Sequence, residues 1–155
     1  MRAVLRSLAA SVLLLSAGAQ AQEEPPLALE LNKLEPVAPA GQSTAGQSTA
    51  GQSAGCRAYL VATNPEGGLR LDVLRLDLVL FGTDGVILRR IALDVGPVMP
   101  GRTQVRPFEL RDLACEAIGQ VLVNDTMLCK VAGTDRTDCM DRLRTSSRVP
   151  AKLIK

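Results

Sequence analysis

Residues 69–95 read LRLDVLRLDLVLFGTDGVILRRIALDV. Leu69, Leu71 and Val73 alternate with Arg70 and Asp72, the period-two pattern of a strand with one buried face. The apolar set then moves to Leu74, Leu76, Leu78 and Leu80. A change of parity turns the apolar side chains to the opposite face unless the strand bulges, so a β-bulge or bend is expected near Val73. Gly82-Thr83-Asp84-Gly85 follows as a hairpin connection, with Asp84 and Gly85 supplying residues that tolerate positive φ. Val86 to Val95 is then the returning strand. A hairpin with one leucine face and one charged face needs a second layer to cover the leucines.

The flanking sequence supplies more of the same pattern. Leu27, Leu29 and Leu31 alternate with Ala28 and Glu30. Cys56 to Thr63 forms another run, closed by the turn signal Asn64-Pro65-Glu66-Gly67-Gly68. Gly96-Pro97-Val98-Met99-Pro100-Gly101 separates the hairpin from a strand at Thr103 to Leu110, and Gly119 to Val123 enters a further one. Arg111 to Ile118 suits a helical turn, and Asp138 to Arg144 a short helix capped by Thr137 or Asp138. Short strands punctuated about every 8–12 residues indicate an all-β, immunoglobulin-like β-sandwich of about seven strands with a short helical C-terminal segment.

Met1 to Ala21 has the three parts of a secretory signal: cationic Arg2 and Arg6, an apolar stretch from Leu8 to Leu15, and the small-residue pattern Ala19-Gln20-Ala21. Residues 22–155 are then a single exported domain, periplasmic or secreted. The apolar stretch falls short of the roughly 20 residues that span a bilayer, so no integral membrane segment is expected after cleavage. Within the domain, Gly41 to Gly55 repeats GQSTA, GQSTA, GQSAG, units too polar and too small to bury a core. Residues 36–55 are expected to form a flexible linker, and deleting Gly41 to Gly55 to have little effect on stability.

Composition excludes several functions. The chain has no histidine or tryptophan, and its only aromatic residues are Tyr59, Phe81 and Phe108. Histidine-based acid–base chemistry is ruled out, and the stacking platforms used for carbohydrate and single-stranded nucleic acid are lacking, so no nucleic-acid partner is expected. The 18 basic residues, less Arg2 and Arg6, equal the 16 acidic ones, and the exported chain is near neutral. Residues 126–155 form a basic C-terminal extension, in which Lys130, Arg136, Arg142, Arg144, Arg148, Lys152 and Lys155 outnumber Asp135, Asp138 and Asp141. Such a tail suits an anionic surface or an acidic protein, although it is ordinarily a solvated face.

The four cysteines are Cys56, Cys115, Cys129 and Cys139. Four cysteines in an exported chain allow three pairings. Strands that alternate in direction place the starts of the second and sixth strands at one end of a sandwich. Cys56 begins the second and Cys115 precedes the sixth, so these two are expected to pair, leaving Cys129 with Cys139. No C-x-x-C is present for a zinc site or a thiol oxidoreductase. Met127, Cys129, Cys139 and Met140 offer the soft sulfur ligands that suit Cu(I), which is the alternative functional reading; flanking methionines more often fill core gaps. Apart from that alternative, no metal or other cofactor is expected.

No catalytic residue is assigned. The serines lie in the repeat or in the loop-like Thr145-Ser146-Ser147, without a nucleophile elbow. Asp138 and Asp141 are more consistent with charge complementarity at a helix N-terminus than with acid–base chemistry. Asn124-Asp125-Thr126 matches a glycosylation sequon. Asn64 and Asp84 are turn residues.

Asn64, Leu78-Val79-Leu80-Phe81, Asp84-Gly85-Val86-Ile87 and Pro100-Gly101-Arg102-Thr103 with Phe108 resemble the FxLYD domains of bacterial exported proteins, which are small and immunoglobulin-like. LALELNKLEP (27–36), CRAYLVATNP (56–65) and LACEAIGQVLVND (113–125) are similar to a group of uncharacterised secreted proteins of Gram-negative bacteria. The resemblance implies a compartment and no activity. The expectation is a monomeric, non-enzymatic binding or accessory module that meets an unidentified protein or surface of the cell envelope.

Overall fold

A computed structural model describes residues 24–38 and 55–155. Among the described residues nine strands build two sheets: β1 (Leu27–Val37), β2 (Gly55–Asn64), β3 (Leu71–Gly82), β4 (Ile87–Asp94), β5 (Arg102–Arg111), β6 (Ile118–Val131), β7 (Thr134–Asp135), β8 (Leu143–Ser147) and β9 (Lys152–Ile154). One sheet has the order β5-β2-β1-β8 and the other β4-β3-β6-β7, with β9 also paired to β6. Both are mixed, because β8 runs parallel to β1 and β9 parallel to β6. The sheets pack as a sandwich around Leu29, Leu31 and Leu60 from one side and Leu74, Leu76, Leu78 and Leu80 from the other. Each of these leucines is 0–1% exposed, and burying such a side chain contributes about 1.5–3 kcal/mol.

The parity change in β3 takes the expected form. Its pairing with β6 shifts between Leu71 and Val73, and from Leu74 onward the alternate leucines all face inward. The hairpin closes as the sequence suggests: Gly85 has φ +80°, and the Asp84 carboxylate accepts the Val86 N–H at 3.0 Å. In β6 the pairing with β3 shifts at three further places, which leave Met127, Asn124 and Gly119 as extra residues. Those bulges interrupt the alternation, which is why only Gly119 to Val123 is legible as strand in a 14-residue element.

The linker boundaries move inward. Pro36 and Val37 end β1 opposite Cys56 and Gly55, which start β2, so the repeat joins two paired strand ends. Residues 39–54 lie outside the described residues. Gly55 is buried, and a Cβ there would sit 2.6 Å from the Leu110 carbonyl oxygen. The deletion that should be tolerated is therefore 41–54. Its effect on the urea unfolding free energy is expected to stay below about 1 kcal/mol, because loop-closure entropy varies only as the logarithm of length; a larger loss would mean that the repeat packs on the domain.

The C-terminal segment departs from expectation. No helix forms at Asp138 to Arg144. Successive turns carry i to i+3 hydrogen bonds from Asp141 to Asp138, Arg142 to Cys139 and Leu143 to Met140, and the chain then enters β8. Asp138 does not cap a helix, since its carboxylate takes the Arg136 and Arg142 guanidiniums. The one helical element in the described residues is a 3-10 turn at Cys115–Ala117, within the stretch expected to be a helical turn. Residues 126–155 belong to the sandwich rather than extending from it: they complete β6 and supply β7, β8 and β9. Thr145-Ser146-Ser147 is strand, paired with Leu29, Glu30 and Leu31. Between β8 and β9 the chain crosses from one sheet to the other, held by the Arg148 N–H on the Leu31 carbonyl and the Leu153 N–H on the Ser147 hydroxyl at 2.6 Å.

Candidate functional site

The cysteines form two bonds. Cys56 is joined to Cys115 with Cα atoms 5.0 Å apart, and Cys129 to Cys139 with Cα atoms 6.5 Å apart. The first ties the start of β2 to the turn before β6, and so couples the two sheets. The second anchors the turns ahead of β8 to β6. Both are the expected pairings, the first from strand direction and the second by elimination. The four residues of the copper alternative are close in sequence, but Cys129 and Cys139 are bonded to each other and Met127 is 54% exposed. Thiolate ligands would exist there only after reduction. Among the described residues no group of three or more histidine, cysteine, aspartate or glutamate side chains is placed to hold a metal ion.

Most cations of the C-terminal segment are engaged locally. Arg142 bridges Asp138 at 3.0 Å and Glu24 at 3.0 Å, Arg148 meets Glu30 at 2.8 Å, and Lys130 lies 3.6 Å from Asp135. The Arg136 and Arg142 guanidiniums hold the Asp138 carboxyl far below the usual carboxylate range. Arg144, Lys152 and Lys155 form no ion pair among the described residues, so part of the positive charge of the segment is left to solvent.

On the outer face of the β5-β2-β1-β8 sheet the side chains also satisfy one another. Arg57 meets Glu109 at 2.7 Å, the Tyr59 hydroxyl donates to Glu35 at 2.7 Å, and Lys33 bonds the same carboxylate while lying 5.6 Å from the Tyr59 ring centroid. Lys33 first and Tyr59 second lower the Glu35 pKa. This is a solvated cross-strand ladder, in which exposed, solvent-screened ion pairs contribute little to stability.

The opposite face, carried by β4, β3 and β6, differs. Asp77 on β3 is 3% exposed and is the only buried charged residue among those described. Arg90 on β4 donates to both its oxygens, at 2.7 and 2.8 Å, and the Asn124 amide donates at 2.6 Å. The β6 bulge makes Asn124 the extra residue opposite Asp77, which is how an amide reaches a carboxylate outside the regular register. The Arg90 bonds and then the Asn124 bond hold the Asp77 carboxyl below the ordinary range. With both oxygens occupied Asp77 is not poised as a base; it cross-links three strands. Beside this cluster the hairpin tip leaves Val86, Ile87 and Leu88 at 60%, 62% and 39% exposure. Hydrophobic side chains left in water at consecutive positions are a feature of contact surfaces. Sequence reading missed both features: Asp77 looks like any outward strand residue, and Val86 to Leu88 like ordinary strand.

One end of the sandwich has an apolar recess of about 320 Å³, counted with its open mouth and lined by Pro25, Leu27, Leu69, Leu71 and Leu143 among others. Its enclosed part is smaller than the pockets that bury drug-sized ligands, which begin at about 300 Å³. Its wall holds Arg142 and the buried Asn64, 2% exposed, whose amide donates to the Leu69 carbonyl at 2.7 Å and the Val98 carbonyl at 3.0 Å. Beyond its role at the turn, Asn64 closes the end of the core.

Among the described residues, no helix is long and apolar enough to cross a membrane. Comparison of the chain with protein-family models, curated proteins and solved structures returned no match.

Proposed function

We propose that the chain is an exported protein of the Gram-negative envelope, periplasmic or secreted, that acts without catalysis as a binding or accessory module. The observation that carries the reading is the exposed run Val86-Ile87-Leu88 at the tip of the β3–β4 hairpin, on a scaffold stapled by two disulfides. Disulfides persist in oxidising compartments, which agrees with the secretory pattern of Met1 to Ala21. The strand order β5-β2-β1 facing β4-β3-β6 supports an immunoglobulin-like identity, since it matches strands E-B-A facing C′-C-F of that architecture. Such sandwiches commonly present partner surfaces at loop clusters and sheet faces.

The test places a photo-reactive amino acid at Ile87, or at Val105 on the other sheet's outer face, in cells that export the chain. Adducts with a different envelope protein from position 87 and none from position 105 are expected. Equal labelling, no adduct, or a chain recovered from the cytoplasm with free thiols would overturn the proposal.

A further inference from the structure

β4 and β5 are the edge strands on the open side of the sandwich, and they are protected unequally. β5 carries Pro107, which has no N–H, and a charge at Arg102, Arg106, Glu109 and Arg111. Arg106 turns toward the neighbouring turn and donates to the Val95 carbonyl at 2.8 Å and the Gly96 carbonyl at 3.2 Å. Proline and inward-turned charge are the usual means of preventing strand addition at an edge. β4 has no proline, and its pairing with β3 is unbroken from Arg89 to Asp94.

The hydrogen-bond phase of β4 follows from the Val95 N–H on the Leu74 carbonyl. In an antiparallel ladder the backbone groups of alternate residues face opposite neighbours. Leu93, Ile91 and Arg89 therefore point theirs at β3, while Arg90, Ala92 and Asp94 point theirs away from the sheet. Among the described residues no backbone or side-chain group occupies them.

We infer that this edge is a homodimer interface, in which β4 pairs antiparallel with β4 of a second copy about a two-fold axis at Ala92. Three observations select that occupant and that register. The outward-facing residues Arg90, Ala92 and Asp94 are spaced symmetrically, so with Ala92 on the axis each Arg90 lies opposite the second copy's Asp94, and each such pair exchanges N–H and C=O. The side chains are complementary: the Asp94 carboxylate has no ion-pair partner among the described residues, and Arg90 binds Asp77 through Nε and Nη2, leaving Nη1 available. Finally, an axis at Arg90 would set two guanidiniums against each other, and an axis at Ile91 would pair Arg90 with Ala92.

Sedimentation of the exported chain over a range of concentrations tests the interface. Dimer is expected for the native chain, and monomer for Asp94→Arg, which sets cations opposite each other. Ala92→Pro removes an N–H that faces away from β3, so it should abolish the dimer while the protein stays folded by circular dichroism; Asp94→Arg decides the matter if the proline variant does not fold. Cα atoms of a directly opposed hydrogen-bonded pair lie about 5.5 Å apart, within disulfide reach. Ala92→Cys should therefore oxidise to a covalent dimer, and Val105→Cys should not. A native chain that sediments as a monomer at its solubility limit, a dimer unaffected by Asp94→Arg, or equal cross-linking from positions 92 and 105 would overturn the inference.

Discussion

Replacing Cys56 and Cys115 together by alanine is expected to lower the unfolding free energy by about 4 kcal/mol. The bond spans 59 positions, and a closed loop of that length removes chain entropy worth about this much from the unfolded state. Geometry adds to the effect. Cys56 is fully buried and Cys115 is 8% exposed, so the alanines leave an underfilled site where β2 meets the turn before β6. The double alanine variant at Cys129 and Cys139, whose bond spans 10 positions, should lose less, about 3 kcal/mol by the same relation. Urea unfolding of both variants measures the difference. A loss below about 1 kcal/mol for the first pair would mean that the sheets are held by packing alone and the bond is incidental to stability.

Asn64→Asp is expected to cost about 3 kcal/mol near neutral pH. The native amide gives two hydrogen bonds, to the Leu69 and Val98 carbonyls, from a site 2% exposed. A carboxylate of the same shape has no proton to give and sets negative charge against two carbonyl oxygens, and an uncompensated buried charge costs roughly 3–5 kcal/mol. Asn64→Ala, which removes the same bonds without adding charge, should cost less, about 2 kcal/mol. The pH dependence separates the two. The site favours the neutral acid, so the folded pKa of Asp at position 64 is raised above the unfolded value of about 3.9. The deficit is smallest below about pH 4 and grows with pH until the folded group ionises as well. Thermal unfolding of both variants from acid to neutral pH is the measurement. An Asp variant with the same melting temperature at every pH as the Ala variant would show that water reaches the site.

The two substitutions probe different parts of the molecule, and they differ in what sequence could have foretold. The pairing of Cys56 with Cys115 follows from strand count and direction, because each cysteine sits at a strand start and alternation places those starts at one end. The burial of Asn64 does not follow, since Asn-Pro marks a turn wherever it occurs and only the packing of Leu69 and Val98 around the amide makes it structural. Asp77 is a similar case. In the run Leu76-Asp77-Leu78 it is an outward residue like Asp72, yet Arg90 and a bulged Asn124 enclose it while Asp72 remains near the surface.

The sequence by itself determined the layers of this protein. Alternating leucines in β1 and β3, turn residues at 64–68 and 82–85, and a parity change at Val73 are local signals, and each acts over the few residues that set strand, bulge or turn. The tertiary structure alone decided what happens at the edges. β8 and β9 are short, lack a strong apolar alternation and pair in parallel with strands distant in sequence, so they become strands only when β1 and β6 offer them unpaired backbone. The same physics leaves β4 with an open edge and Val86 to Leu88 in water: local pattern sets which way a side chain points, and only the assembled sheets decide which backbone groups and apolar side chains are left without a partner.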